Sequence, residues 1–406
     1  MKKTLLTALL IAGVGPMSAC DSFVNDVDPP VDLVPSDSLN TADNVPFLVT
    51  GVQERFSTAH GNMVVLAEGL SDAYIFAYGT SGATFPTYIE VDTGEIELDN
   101  NSVDGFYEDL NQLRFLADDL IDRAENQIEF DDDDAAVRTS SLYNGYLYAG
   151  IARYMLATYV GLEPRRGGAT IDAGEFIPSA QLYADAIARF QTALTFAGEG
   201  SYEARLLNSL IARAHLYNDN TEQAGVFAAR GLVSGDAPFE SLHSPQSNNQ
   251  VWIAAGRGRT QYAVAPRFVG DGEGLTPTEV YETVACADTE YCAEGDTTYT
   301  YSRQALYLTD SDPIPFMSWQ ENNLIRAEAA AGTAAAVDLV NAANGDDEDV
   351  TEVTQAVLAQ QRDKILFSQG ARLVDQRRFG LWHLGEGTWQ YLPITQTERN
   401  SNPNID

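Results

Sequence analysis

The stretch YEARLLNSLIARAHLYNDNTEQAGVFAARGL, residues 202–232, decides the fold. Leu207, Leu210, Ile211 and Ala214 recur at three- and four-residue spacing, which places them in one stripe of a helix. After the polar turn Asn218 to Asn220, Ala224, Phe227 and Ala228 supply a second stripe at the same period. Two amphipathic helices joined by so short a turn can bury those stripes only against each other. Small side chains at Ala212, Ala214, Ala224, Ala228 and Ala229 let the two axes approach closely. The spacing predicts helices over 202–217 and 221–232.

Working outward, the same periodicity predicts helices over 45–77, 106–124, 135–160, 179–196, 316–331, 334–343 and 350–378. In 106–124 the stripe is Leu110, Leu113, Leu116 or Ala117, and Leu120. The paired arrangement resembles tetratricopeptide helix hairpins, although the full repeat signature is missing. The expected fold class is therefore mainly α: tetratricopeptide-like hairpins with a loop-rich ligand-binding insertion at about 234–315. Residues 78–101 read as a second irregular excursion. The acidic run Asp131 to Asp134 precedes a helix, where the macrodipole favours negative charge. It lacks the alternating acids, glycine and terminal glutamate of a calcium loop, so no metal site is expected there.

The first 46 residues carry no such period. Lys2 and Lys3 precede an apolar run from Thr4 to Gly15, too short to span a bilayer, and the small residues Ser18 and Ala19 lead into Cys20. This reads as an export signal over 1–19 whose cleavage exposes Cys20 for lipidation, the lipobox arrangement of bacterial lipoproteins. Residues 20–46, with Pro29, Pro30, Pro35 and Pro46, read as a tether, and 47–406 as one folded domain.

The chain has 406 residues, 59 acidic and 24 basic side chains, and a net charge of -35, which argues against a nucleic-acid partner. At 44% hydrophobic residues it is too apolar for a disordered acidic tail. Lys364 is the lysine left once the signal is removed, so the surface is acidic, lysine-poor and open to screening by salt. Cys286 and Cys292, with neither a third cysteine nor a histidine nearby, are expected to form a local disulfide in an exported protein.

A search for chemistry returns no metalloprotease, nucleophile-elbow or phosphate-loop motif, and His60, His215, His243 and His383 are far apart in sequence. Neither catalytic residue nor cofactor nor metal is expected. Aromatic side chains in the irregular segments carry more meaning. Tyr74, Tyr78, Phe85 and Tyr88 cluster around Gly79, Gly82 and Pro86, while Trp252 and Tyr262 lie among Gly and Arg in the later insertion. Flat rings held on loops can stack against sugar faces, so these six are the expected ligand-binding residues.

Three C-terminal stretches then form an ordered pattern: NNLIRAEAA at 322–330, QRDKILFSQGARLVDQRRFG at 361–380, and LPI at 392–394 running to the NPN of 402–404. Together with the lipobox and the helix that ends in Tyr159, Val160 and Gly161, they resemble the SusD/RagB family of nutrient-binding outer-membrane lipoproteins. Gln361, Ile365 and Gln369 stand where that family usually has acids, and Phe367 lies one place early. The resemblance implies a surface lipoprotein, anchored in the outer membrane through Cys20, that captures a glycan or other nutrient. It also implies delivery to a partner TonB-dependent transporter of the SusC-like class, without catalysis. An alternative from the hairpins alone is a tetratricopeptide-type envelope scaffold that binds proteins or peptides. The Arg-Asp cluster of Arg372, Asp375, Arg377 and Arg378 is expected to tie the last helix to the loops around it.

Overall fold

The structure is a computed structural model that describes residues 35–269, 277–345 and 349–405. The expected signal segment, Cys20 and most of the tether lie outside these residues.

Helices form where the periodicity is strongest. Helix α1 (Val45–Leu70) is followed by the short α2 (Pro86–Thr93), α3 (Asn101–Asp122) and α4 (Ala135–Tyr159). From Leu147 to Tyr159 helix α4 is buried on every side, the mark of a helix at the centre of a bundle. Helices α3 and α5 (Ser179–Leu194) flank it, and α6 (Tyr202–Tyr217) packs on α5 and on α7 (Thr221–Ala228). Leu207, Leu210, Ile211, Ala214, Ala224 and Ala228 are buried at that contact. Ser201 accepts the Ala204 N–H at 3.2 Å and Asn220 accepts the Gln223 N–H at 3.2 Å, capping α6 and α7.

The remaining helices are α8 (Gln250–Ala255), α9 (Trp319–Ala329), α10 (Ala334–Asn344), α11 (Gln355–Ile365), α12 (Ala371–Phe379) and α13 (Gln396–Ser401). A second, smaller core joins α9, α10 and α11 through Leu324, Ala336, Val340 and Leu358.

Several boundaries differ from expectation, each for a local reason. Helix α1 stops at Leu70, and residues Tyr74–Phe76 form a strand antiparallel to Tyr262–Val264. Helix α7 ends at Ala228 rather than 232, because the Asn322 amide from α9 donates to the carbonyls of Ala228 and Leu232, both at 2.9 Å. The continuous helix expected over 350–378 is two helices. Ser368 and Gly370 break it at φ 60° and 81°. A Cβ at Gly370 would lie 2.7 Å from the Met63 sulfur, so glycine is required there on both counts.

That break serves as a junction. Gly370 N–H donates to the Glu68 carboxyl at 2.7 Å, Tyr159 Oη donates to Gly370 O at 3.2 Å, and Tyr307 Oη donates to Ser368 O at 3.1 Å. Charged pairs complete the closure. Arg362 Nε donates to Asp375 at 2.6 Å and its Nη2 to Tyr217 Oη at 2.9 Å. Arg372 bridges Asp72, just past α1, and Asp363 of α11. Arg378 joins Asp375 to Glu328 of α9. The last helices are thus tied to one another by a desolvated ion pair and to the end of the first by a partly buried one.

At the N-terminus, the end of the expected tether is docked. Arg123 donates to Ser36 O at 3.0 Å and to Ser36 Oγ at 2.7 Å. The Asp131 N–H reaches the Asp134 carboxylate at 3.3 Å, so the acidic run acts as an exposed turn at the head of α4. No helix among the described residues is long and apolar enough to cross a membrane.

Candidate ligand-binding face

The insertion is organised by a hairpin, Thr278–Ala285 paired antiparallel with Thr298–Gln304. Its inner face places Val284 and Tyr301 against Ala77 and Ala263, a small core of its own. Its tip is closed by a disulfide between Cys286 and Cys292. A register shift between Val280 and Glu282 frees Tyr281, whose hydroxyl accepts the Gly82 N–H at 3.1 Å.

The loop after the strand Tyr74–Phe76 lies against this tip. Gly79 has φ 77°, and a Cβ there would come within 2.6 Å of the Asp288 Cβ, so only glycine allows the approach. Glu282 accepts the Ser81 N–H at 3.0 Å and the Ser81 hydroxyl at 2.8 Å. From the other side the buried amide of Gln261 accepts from the N–H groups of Thr84 and Phe85 at 3.0 and 3.1 Å and donates to Gly82 O at 2.7 Å. One side chain therefore fixes the path of 82–85.

The six aromatic residues expected to bind ligand divide into three groups. Tyr74 and Tyr262 are core residues with no exposed surface, which corrects the expectation for both. Tyr74 hydrogen-bonds Ser368 through its hydroxyl and stands edge-on to Phe367 at 6.0 Å. Tyr262 lies over Gly69 and donates to Tyr88 O at 2.9 Å. Burial of large rings beneath long loops is the ordinary fate of such residues, and the partners that bury these two lie elsewhere in the sequence.

Tyr78, Phe85 and Tyr88 stay at or near the surface. Phe85 is 42% exposed, with the Arg259 guanidinium 4.3 Å above its ring and Tyr88 5.9 Å away. Tyr78 packs edge-on against Phe76 at 4.9 Å and faces Tyr291 at 6.3 Å. Trp252 stands on α8, half-buried, its indole N–H donating to Leu308 O at 3.1 Å.

Sequence reasoning missed Tyr281, Tyr291 and Tyr299, three half-buried rings of the hairpin region. Tyr291 lies 5.9 Å from Tyr299 and 6.2 Å from Tyr301, and its hydroxyl donates to Asp92 at 3.2 Å. Tyr78, Tyr291 and Tyr299 thus form a ring surface beside the loop that carries Phe85. Burial, with Glu290 nearby, pushes the Asp92 carboxyl up to about 7, while the Phe76 N–H and Tyr291 hydroxyl oppose the shift. A cavity of about 380 Å³ opens next to these groups, lined by Asp72, Asp92, Arg267, Glu290, Tyr291 and His383 among others. Two larger hollows, of about 470 and 480 Å³, lie away from it, one between α3 and α13 and one beside the start of α1. Among the described residues no group of three or more metal-ligating side chains converges.

No family model matches the sequence, and no curated protein is detectably similar to it. Solved structures are similar in fold. A SusD superfamily protein from Bacteroides thetaiotaomicron superposes with a TM-score of 0.69 at 15% identity, covering 90% of this chain and 99% of that one. A SusD superfamily protein from Bacteroides vulgatus gives 0.66 at 18% identity, covering 90% and 98%. A laminarin-binding SusD-like protein gives 0.61 at 14% identity, covering 89% and 99%. Superposing on these structures over nine-tenths of its length, the chain has the SusD-like fold.

Proposed function

We propose that this protein is a surface-exposed outer-membrane lipoprotein, anchored through Cys20, that binds a glycan and hands it to a TonB-dependent transporter without breaking a bond. The observation that carries the reading is the ring surface of Tyr78, Tyr291 and Tyr299, with Phe85 under Arg259, mounted on loops of a SusD-like scaffold. Neighbouring rings, tilted toward one another beside carboxylates and a guanidinium, suit a polyhydroxylated ligand, because each sugar offers an apolar face and orienting hydroxyls. A solved structure of the same fold binds laminarin. Anchoring receptor and transporter in one membrane raises their effective concentration for each other.

Affinity electrophoresis of the purified protein through gels containing neutral, acidic and amine-bearing polysaccharides tests this reading. At least one should retard it, and Tyr78→Ala and Tyr291→Ala should each weaken the retardation by about 1–3 kcal/mol if their rings stack on the ligand. A mature N-terminus without acyl chains and the absence of a transporter from pull-downs would overturn the anchored delivery role. Retention of several envelope proteins and of no glycan would favour the scaffold alternative.

A further inference from the structure

The cavity beside the aromatic surface has a charge arrangement that points to a class of ligand. It lies between the strand Tyr74–Phe76, helix α2, residues 265–267, the disulfide loop and residues 383–384. Its basic neighbours are already engaged. Arg267 donates to Asp72 and to Asp363, each at 3.0 Å, and Arg372 behind it holds the same two carboxylates. His383 Nδ1 lies 3.1 Å from the Gln376 amide, and burial holds this imidazole below its ordinary range, in the neutral form. Asp72 is satisfied by two guanidinium groups and is kept ionised by them.

Asp92 and Glu290 are placed differently. Both line the cavity, and among the described residues neither forms an ion pair with a guanidinium: Asp92 accepts from the Tyr291 hydroxyl and the Phe76 N–H, and Glu290 is exposed. Tyr291, adjacent to Glu290 in the chain, adds its ring to the lining of the same cavity. A ligand entering here meets two carboxyl groups and an aromatic wall, while the cations behind are matched to other acids. An anionic sugar would be repelled, and a cation would relieve the repulsion between the two carboxylates. The cavity volume of about 380 Å³ suits one or two sugar units, and the net charge of -35 draws cationic ligands toward the protein.

Resting on the glycan-binding reading, we propose that this pocket takes a sugar bearing an unsubstituted primary amine, its ammonium held between Asp92 and Glu290 and its ring against Tyr291. The two acids supply the charge-assisted hydrogen bonds, and Tyr291 supplies the apolar contact.

Isothermal titration of the full-length protein with glucosamine oligomers, their N-acetylated counterparts and neutral glucan oligomers of equal length tests the proposal. The amine-bearing oligomers should bind at least about tenfold more tightly than the acetylated ones, a gap that narrows in high salt. Asp92→Asn combined with Glu290→Gln preserves size and removes both negative charges, and in a variant that still unfolds cooperatively in urea it should make amine-bearing and acetylated oligomers bind alike. Equal or tighter binding of the acetylated oligomers, or an intact preference in the double variant, overturns the proposal. Binding of neutral glucans without any amine preference does so while leaving the broader glycan reading standing. Absence of binding to every glycan overturns both, and equally tight binding of lysine oligopeptides overturns the sugar assignment.

Discussion

Two clusters of arginine and carboxylate show how the same chemistry serves two parts of this molecule. In the closure between α11 and α12, the side chains of Arg362 and Asp375 are 0% and 2% exposed. In the hairpin, Arg257 and Arg303 share Glu279, with Arg257 46% exposed. Hydrogen bonds from Arg257 and Arg303 hold the Glu279 carboxyl down at about 2, yet water and salt screen the attraction, so the pair adds little to folding. The buried pair cannot lose one partner without stranding a charge in a dry environment. The scaffold is therefore closed by interactions that fail together, and the candidate ligand face by interactions that can rearrange singly.

The comparison is broken most directly at Arg362. Arg362→Met leaves Asp375 buried beside apolar carbon, with Arg378 as its remaining cation. It should cost about 3–5 kcal/mol in urea unfolding, and Arg362→Met with Asp375→Leu should recover most of the loss. A single variant as stable as the parent would mean that the closure is not desolvated.

The pH dependence sharpens the same contrast. Glu68 is fully buried, and that burial pushes its carboxyl up to about 8 despite the Gly370 hydrogen bond. The folded state therefore holds a proton that the unfolded chain releases above about 4.5. Its contribution is complete below that value, declines as pH rises toward 8 and is gone above it. Glu68→Gln should remove a stability loss of roughly 3 kcal/mol between pH 5 and 8, at about 1.4 kcal/mol per pH unit discounted for relaxation around the buried group. Parallel pH profiles for the two proteins would refute the assignment.

The smallest effect is expected at the tip of the hairpin. Replacing Cys286 and Cys292 with serine opens a short loop, worth about 2 kcal/mol of local ordering. Proteolysis within 278–304 should accelerate while the urea midpoint of the scaffold barely moves. A global loss as large as that of Arg362→Met would show that face and scaffold unfold as one unit.

Legibility in the sequence followed the range of the interactions. The α6–α7 hairpin could be read because its stripes are satisfied by neighbours a few residues away. Helix α2 was missed because it is short and half-exposed, although Pro86 at its first turn and Gly94 at its end, with φ 67°, were available signals. The interruption of 350–378 was marked by Gly370, but the buried contacts that demand it come from Met63, Glu68 and Tyr159. At the candidate ligand face, composition could not separate Tyr74 and Tyr262 from Tyr78 and Phe85, since burial of the first pair depends on Ser368 and Gly69. Tyr291 and Tyr299 needed the hairpin register to be seen together.

The bond from Gly370 to Glu68 spans 302 residues, and that from Arg372 to Asp72 spans 300. A growing chain must therefore release almost its whole length from the ribosome before its opening helix acquires the partners that satisfy it. Until then the early segment carries a carboxyl with no settled place, which delays premature locking. A fastening made last keeps the chain free to rearrange for as long as synthesis continues.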